Sequence, residues 1–173
     1  MPLVVHKTPL DGVLLIEPLT NFEDFRGQYV ELYNAPEYKA AGVAYDFIQD
    51  DISVSRKHVL RGIHGDQKTA KLVSCLQGAF YLVVINNVAG SPQYRQWTSL
   101  TLSDRKRQQV LVPPGFGNGH LVLTDTATFY YKQTTTYDRA SQFTLFWDDP
   151  ELKMWWPTRD PIVSQRDSRG PAA

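Results

Sequence analysis

The feature that most constrains the fold is an uninterrupted apolar run, FYLVVI, at residues 80–85. Successive residues of a strand point to opposite faces of a sheet, so both faces of this strand must be covered. A half-exposed strand would alternate apolar and polar residues instead. The run therefore predicts a strand inside a β-sandwich or a closed barrel, or a strand at a subunit interface.

The rest of the chain has the pattern of a mostly β protein. Short runs rich in Val, Ile, Tyr, Phe and Thr alternate with Gly, Pro, Asn and Asp, and long helical periodicity is nearly absent. Eleven strands are predicted, at residues 12–17, 28–33, 47–55, 59–64, 71–77, 79–87, 96–102, 108–112, 119–123, 127–137 and 143–147. Because this number is too large for one open sheet of this size, an all-β, double-sheet β roll is the economical arrangement.

One short connecting helix is predicted at residues 35–41. Asn34 can cap its start, Pro36 suits its first turn and Gly42 can end it. The chain has 173 residues, so a single domain over residues 1–173 is predicted, with a flexible tail at 168–173.

Composition narrows the classes of partner. Lys and Arg total 18, as do Asp and Glu, so a polybasic nucleic-acid binder does not fit the zero net charge. Aromatic residues make up 12% of the chain, which makes self-association plausible. The single cysteine, Cys75, is predicted to be a buried apolar residue. The N-terminus lacks a secretory signal and no apolar run could cross a bilayer, so a cytoplasmic protein without membrane contact is predicted.

Two residues stand where proton transfer could occur. His64 ends a predicted strand just before a polar turn and is the first candidate base. Tyr131 lies in the run FYYKQT, where alternation directs Tyr131 and Gln133 to one face and Tyr130 and Lys132 to the other. A phenol in a polar cavity can donate a proton. The same patterns also fit purely structural roles. His64 would then be hydrogen-bonded to backbone, and Tyr131 would be a core residue whose hydroxyl is hydrogen-bonded.

Two further patterns bear on ligand and metal binding. The glycine-rich turn VPPGFGNGH at residues 112–120 fits either a close approach to a ligand or a tight corner of the roll. A metal site is not predicted, because the histidines at positions 6, 58, 64 and 120 form no His-x-His pair and no Glu follows at short range.

Eight segments, taken in order, resemble the nucleotide-sugar 3,5-epimerase family, whose best-known member acts on dTDP-4-dehydro-6-deoxyglucose in rhamnose synthesis. The segments are DFRGQYVE at 24–31, FIQD at 47–50 with Ser53 and Ser55, LRGIH at 60–64, AKLV at 70–73, VPPGF at 112–116, YKQT at 131–134, WDDP at 147–150 and SQRD at 164–167. The resemblance covers residues 12–167. It implies a cupin-like β roll, a homodimer that exchanges N-terminal strands, and no metal or organic cofactor.

The resemblance also assigns roles to residues. It implies that His64 removes a proton next to a ketone, that Asp167 orients and supports His64, that Lys71 faces the enolate oxygen, and that Tyr131 returns a proton from the opposite side. These roles suit the chemistry, since such a proton is weakly acidic and its removal needs a base and a group that stabilises the enolate. Substrate contacts are implied for Arg61 and Arg26 at the diphosphate, Arg26 from the neighbouring subunit, and for Glu31 and Gln49 near the sugar and nucleotide.

Two segments depart from the family pattern. Residues 115–120 read GFGNGH where the rhamnose-pathway enzymes have GFAHGF, and residues 86–88 read NNV where they have Asp-x-Arg. Asn118 and His120 are therefore predicted to contact the substrate in a changed pocket. The change is expected to alter which sugar groups are recognised or to remove one of the two epimerisations. The Gly-Asn-Gly-His form resembles the branch acting on GDP-linked 4-keto heptoses for capsule polysaccharides.

The predicted function is accordingly a cofactor-free epimerase of a nucleotide-diphospho-4-keto sugar, with a GDP-linked heptose as the expected substrate. A dTDP-4-keto-6-deoxyhexose epimerase and a 3,4-ketoisomerase on the same fold are the alternatives within the class of isomerases. A sugar-binding module without catalysis is the alternative from a different class.

Overall fold

The protein's computed structural model describes residues 3–18 and 20–168. The described residues form strands β1 (Val4–Lys7), β2 (Leu14–Glu17), β3 (Thr20–Asp24), β4 (Gly27–Glu31), β5 (Gln49–Arg56), β6 (Leu60–Gly65), β7 (Lys71–Gln77), β8 (Ala79–Asn86), β9 (Trp97–Ser103), β10 (Gln109–Val112), β11 (Phe116–Val122), β12 (Thr126–Gln133) and β13 (Phe143–Thr144). Helix α1 spans Ala35–Ala40, and a single 3₁₀ turn spans Arg139–Ser141.

Two antiparallel sheets pack face to face. One has the strand order β1-β2-β10-β7-β12-β5 and the other β13-β6-β11-β8-β9, while β3 and β4 form a separate hairpin. Apart from the consecutive pairs β1–β2 and β8–β9, neighbours in each sheet are separated in the chain by other strands, as in a roll whose chain crosses between the sheets. The predicted all-β, double-sheet β roll is confirmed.

The apolar strand β8 is buried on both faces, as its sequence predicts. Phe80, Leu82 and Val84 pack between the two sheets, against residues such as Val73 and Phe129 of the other sheet. Tyr81, Val83 and Ile85 lie on the opposite face, which the C-terminal segment covers with Leu152 and Trp156. The sequence left open whether a second sheet, a closed barrel or a neighbouring subunit covers this strand. Its second face is covered by a segment of the same chain. Burial of this kind contributes about 25 cal/mol per Å² of apolar area.

Most predicted elements are present, with shifted ends. Strand β11 begins three residues before the predicted start, at Phe116, and β12 ends at Gln133 rather than at residue 137. Strands β1 and β3 were not predicted. Three of the four side chains of β1 are exposed, so its sequence lacks the alternation that marks a half-buried strand.

Helix α1 forms where it was predicted, but the role of Asn34 differs. The Asn34 side chain makes no capping hydrogen bond and instead donates to Glu31 Oε1 at 3.2 Å. The predicted side-chain cap is therefore wrong. Gly42 follows the helix with a φ of +91°, a conformation that glycine adopts without strain.

The hairpin of β3 and β4 stands apart from the core and exposes apolar side chains. Phe22, Phe25 and Tyr29 are 71%, 99% and 66% exposed. Cys75, by contrast, is buried as predicted. Within residues 3–18 and 20–168, no helix has the length and apolar character needed to span a membrane. The tail predicted from residue 168 falls, beyond Ser168, outside the described residues.

Candidate active site

A cavity of about 620 Å³ opens into the roll. Its wall combines inward-facing side chains of strands β5, β6, β7, β11 and β12 with two loop segments, one around residues 137–142 and one at 164–167. Eight of the predicted site residues line it, namely Gln49, Arg61, His64, Lys71, Asn118, His120, Tyr131 and Asp167. The fold thus brings together residues that are up to 118 positions apart in sequence, from Gln49 to Asp167.

His64 and Asp167 form a hydrogen-bonded pair in this wall. His64 Nε2 lies 2.6 Å from Asp167 Oδ1, and the backbone N–H of Gly62 donates to Asp167 Oδ2 at 3.3 Å. Burial by itself would raise the pKa of Asp167, but the hydrogen bond and charge of His64 outweigh it and hold that pKa below its ordinary value. Asp167 is therefore a buried carboxylate that fixes the ring of His64.

Lys71 enters the cavity from β7 and is almost wholly buried. Its Nζ donates to Asn118 Oδ1 at 3.3 Å, across the space between the two sheets. Burial lowers the pKa of Lys71 to about 8, the charge of Asp66 raises it in part, and the charge of Arg166 lowers it further. The ammonium group is thus available to a ligand at neutral pH.

Tyr131 faces the same cavity from β12, as its strand alternation predicts. The ammonium of Lys71 lies 5.8 Å from the centre of its ring. Burial raises the pKa of the Tyr131 phenol to about 12, and the charge of Asp51, its cross-strand neighbour, adds to this effect. On the outer face of the strand, Tyr130 and Lys132 both donate to Asp50. Tyr131 therefore remains a protonated phenol at neutral pH.

A polar network supports the tyrosine side of the cavity. The Gln49 and Gln133 amides donate to Asp51 Oδ2 at 2.7 and 3.0 Å, and Gln49 Oε1 accepts the backbone N–H of Tyr137 at 2.9 Å. On the other side, Arg61 Nε donates to Ser55 Oγ at 2.9 Å. These bonds fix a glutamine and a guanidinium at the places where the sequence predicted substrate contacts.

His120 lies deepest among the predicted contacts and is neutral. Its ring stacks on Phe129 with a centroid distance of 4.1 Å and an interplanar angle of 11°. Burial and the charges of Arg61 and His64 lower its pKa to about 3. Its Nε2 atom has no hydrogen-bond partner among the residues that the structure describes.

Two predicted site residues do not line this cavity in their own chain. Arg26 is exposed on the hairpin and pairs with Asp24 at 2.6 Å, and Glu31 accepts the amide of Asn34. The action of Arg26 on the site of a neighbouring subunit stays a prediction, as does the contact of Glu31 with the sugar and nucleotide. Asn86 also lies outside the cavity, because its side chain closes a turn with Ser91, so any effect of segment 86–88 on a ligand is indirect.

Sequence reasoning missed several lining residues. Asp51 shares the inward face of β5 with Gln49 and Ser53, a position that period-two alternation from Gln49 could have found. Tyr137 lies in a loop and Arg139 in the 3₁₀ turn that follows it, and no local pattern indicates that either approaches the cavity. Arg166 was noted only as part of a matching segment.

The charge of the lining suits an anionic ligand. Among the described lining residues, Arg61, Lys71, Arg139 and Arg166 carry cationic groups, whereas the carboxylates are Asp51 and Asp167. Guanidinium groups are the usual partners of phosphate oxygens. No group of three or more His, Cys, Asp or Glu side chains within the described ranges is placed to hold a metal ion.

The fold and the cavity define a class. Two proton-transfer groups share one cationic cavity: a histidine that is held by a buried carboxylate, and a protonated phenol. Together they can remove a proton from a bound anion and return one to it. Proton transfer of this kind, with no other group added or removed, is the chemistry of isomerases, and this is the class that the site fits.

Comparison with known proteins narrows this class to a family. A family model described as dTDP-4-dehydrorhamnose 3,5-epimerase matches residues 7–173. The protein of that name from Pseudomonas aeruginosa is 38% identical over 170 residues, covering 96% of this chain and 93% of its own. A dTDP-4-dehydrorhamnose 3-epimerase from Streptomyces niveus is 36% identical over 162 residues, covering 91% and 78%. The chain belongs to the dTDP-4-dehydrorhamnose 3,5-epimerase family.

The fold agrees with this membership. The crystal structure of a dTDP-6-deoxy-D-glucose-3,5-epimerase from Legionella pneumophila, in complex with dTDP-4-keto-L-rhamnose, superposes with a TM-score of 0.91. Its sequence is 36% identical, and the match covers 95% of this chain and 89% of that chain. These relatives are named for dTDP-linked sugars, so the expected GDP-linked heptose, and with it a capsule polysaccharide, gains no support from them.

Proposed function

We propose that the protein epimerises a dTDP-linked 4-keto-6-deoxyhexose at carbon 3, carbon 5 or both. The observation that carries the proposal is the shared cavity of the His64–Asp167 pair and Tyr131, with cationic side chains around it. The dTDP-linked sugar is taken from the names of the relatives. Because these include both a 3,5-epimerase and a 3-epimerase, the number of inverted centres is left to experiment.

In the proposed reaction, His64 removes the proton from a carbon next to the ketone. Asp167 holds the imidazole ring in place and stabilises the imidazolium that forms. The electrons of the broken C–H bond move onto the ketone oxygen, where the Lys71 ammonium stabilises the negative charge. The reacting carbon is now planar and can be protonated from either side.

Tyr131 then gives its proton to the opposite side of that carbon, which inverts the centre. Return of the proton from His64 would restore the substrate instead. Arg61 is assigned to the diphosphate and Gln49 to the sugar and nucleotide, while Asn118 and His120 line the deep part of the cavity. No step of this scheme requires a metal or an organic cofactor.

The assembly proposed with this function is a homodimer that exchanges N-terminal strands. The supporting observation is the exposed apolar surface of the hairpin, with Phe22, Phe25 and Tyr29. Exchange would carry Arg26 and Glu31 to the partner's cavity.

The deciding experiment is incubation with dTDP- and GDP-linked 4-keto sugars in deuterium oxide, followed by NMR. We expect deuterium to replace hydrogen next to the ketone of the dTDP-linked sugar, with inversion. His64→Asn should slow this exchange about a thousandfold. His58→Asn is the matched control, because His58 lies in a turn outside the cavity with a φ of +68° that asparagine tolerates.

Other outcomes would contradict the proposal. A 3-keto product would identify a 3,4-ketoisomerase. Binding without exchange, unaffected by His64→Asn, would identify a sugar-binding module. Exchange in the GDP-linked sugar alone would restore the substrate first expected from the sequence.

A further inference from the structure

Lys71 and Asn118 meet inside the cavity, one from each sheet. The Lys71 ammonium donates to Asn118 Oδ1 at 3.3 Å, and each residue is only 8% exposed. Strand β7 places the lysine in the six-stranded sheet, and β11 places the asparagine in the five-stranded sheet. The bond therefore fixes the end of a long, flexible side chain at one point of the cavity.

The partner of this buried ammonium is uncharged. Within the described part of the chain, Lys71 forms no ion pair with any carboxylate. A buried cation that lacks a counter-ion loses hydration without recovering it from an opposite charge. Its charged form is correspondingly destabilised, and burial is the largest cause of the low pKa of Lys71, about 8.

Other charged and titratable groups lie around Lys71. The elements around it present Asp66, Arg166, Tyr131, Asp51, Arg61 and His64. Asp66 favours the ammonium and Arg166 disfavours it. None of these groups is bonded to the ammonium as Asn118 is.

This inference rests on the proposed function. We propose that Asn118 is the positioning residue of Lys71: its amide oxygen aims the ammonium at the enolate oxygen, and its lack of charge leaves the cation unneutralised until substrate binds. An ammonium has three N–H donors, so one bond to Asn118 leaves two for the ligand. A carboxylate at the same position would compete with the enolate oxygen, because it would attract the cation much more strongly than an amide does.

Positioning of Lys71 by Asn118 predicts how activity depends on pH. The Lys71 cation is present below its pKa and is lost as the pH rises through about 8, so activity should fall over that range. Asn118→Asp adds a negative charge beside the ammonium and should raise the pKa of Lys71. Asn118→Ala removes the bond to the ammonium and should lower it.

The first test follows Lys71 itself and needs no substrate. Lysine side chains are isotope-labelled, the NMR signal of Lys71 is identified by its loss in Lys71→Ala, and its titration is recorded. In Asn118→Asp the midpoint should move to higher pH by about one pH unit or more, and in Asn118→Ala to lower pH. Asn87→Asp is the matched control, since it adds the same charge outside the cavity and should leave the midpoint unchanged.

The second test records the alkaline limb of kcat for the proposed epimerisation. The limb should move with the NMR midpoint, upward in Asn118→Asp and downward in Asn118→Ala. At a pH below both limbs, Asn118→Asp should still be slower than the wild type by about tenfold, because its carboxylate competes with the enolate oxygen.

Each result decides a separate point. An identical Lys71 midpoint in the wild type and both Asn118 variants would overturn the positioning role, whatever the activity. Midpoints that move while the alkaline limb stays fixed would also overturn it, because the lysine would not be the group whose ionisation limits the rate. If the wild type catalyses no exchange while the midpoints move as expected, the proposed function fails and the Lys71–Asn118 coupling stands.

Discussion

At position 131, a phenol with a pKa near 12 stands beside a carboxylate and can only donate a proton at neutral pH. Tyr131→Phe removes that proton and leaves the base His64 unchanged. We expect solvent deuterium still to enter the substrate, while formation of the inverted product falls about a hundredfold or more. Both quantities come from one NMR time course in deuterium oxide.

Tyr130→Phe is the matched control for this prediction. Tyr130 is the adjacent residue on the same strand, but its hydroxyl bonds Asp50 on the opposite face. This variant should invert the substrate at the wild-type rate. Unimpaired inversion in Tyr131→Phe would remove the tyrosine from the reaction, and a parallel loss in Tyr130→Phe would trace the effect to strand β12 as a whole.

Asp167 gives a prediction about both rate and stability. Asp167→Asn should slow exchange at least about tenfold, since the ring of His64 loses its support. The pKa of Asp167 is lowered in the folded protein, so its stabilising interaction is complete above the ordinary pKa of an aspartate and is lost as the pH falls through the lower, folded value. The stability advantage over Asp167→Asn should therefore shrink below about pH 4. Urea unfolding at a series of pH values measures it, and a difference independent of pH would contradict the assignment.

Single residues differ in how much of their role the sequence reveals. His64 ends an apolar strand before a polar turn, so its position at a cavity was predictable from local pattern. Asp167 was found only through the resemblance, because its partner is 103 residues away and no local signal links them. Arg139 could not be found from the sequence. An exposed arginine in a short 3₁₀ turn has no feature that distinguishes a cavity wall from ordinary surface.

At the scale of elements, burial decided what could be predicted. Strand β8 is recognisable because both its faces are covered, and its sequence is apolar throughout. Strand β1 is an edge strand with mostly exposed side chains, so its pairing with β2 is fixed by backbone hydrogen bonds rather than by an apolar pattern. Strand β13 is only two residues long because it pairs with the end of β6 alone, whereas its sequence favours five.

The contact between strands β6 and β11 gives a prediction about packing. Gly62 has a φ of +116°, and a Cβ there would lie 2.6 Å from Gly119 Cα and 2.7 Å from the Asn118 carbonyl oxygen. Gly62→Ala should therefore force apart the strands that carry His64 and Asn118. Gly42→Ala is the control, because Gly42 also has a positive φ, +91°, but no atom within 4 Å of such a Cβ.

The two glycine variants separate backbone strain from steric overlap. Gly42→Ala should cost about 1 kcal/mol of unfolding free energy through strain alone. Gly62→Ala should cost about 2 kcal/mol more than that and should reduce activity as well. Denaturant unfolding of both variants measures the difference. Equal losses would show that β6 and β11 can move apart freely, and that their close approach does not define the cavity.

The whole molecule has an apolar outer surface that extends beyond the hairpin. On the edge strand β5, Ile52 and Val54 are 62% and 56% exposed, in addition to Phe22 and Phe25 on the hairpin. Unpaired edge strands with apolar side chains favour association. In the proposed dimer, a second copy covers this surface. Ile52→Asp should therefore shift the mass in sedimentation from dimer toward monomer, and a monomeric wild type would contradict the exchange.

Exchange of N-terminal strands makes a further prediction, because each site would then draw on two chains. Arg26→Ala and His64→Asn should each reduce the activity of the homodimer. The first variant loses a contact to the diphosphate, and the second loses the base. When the two variants are unfolded together and refolded, a mixed dimer has one site that combines wild-type His64 from one chain with wild-type Arg26 from the other. That site should regain activity, up to about a quarter of the wild-type value in an equal mixture, since half of the dimers are mixed and each has one intact site. If Arg26 acted within its own chain, no site of the mixed dimer would hold both residues, and the refolded mixture would be no more active than the average of the two variants refolded separately.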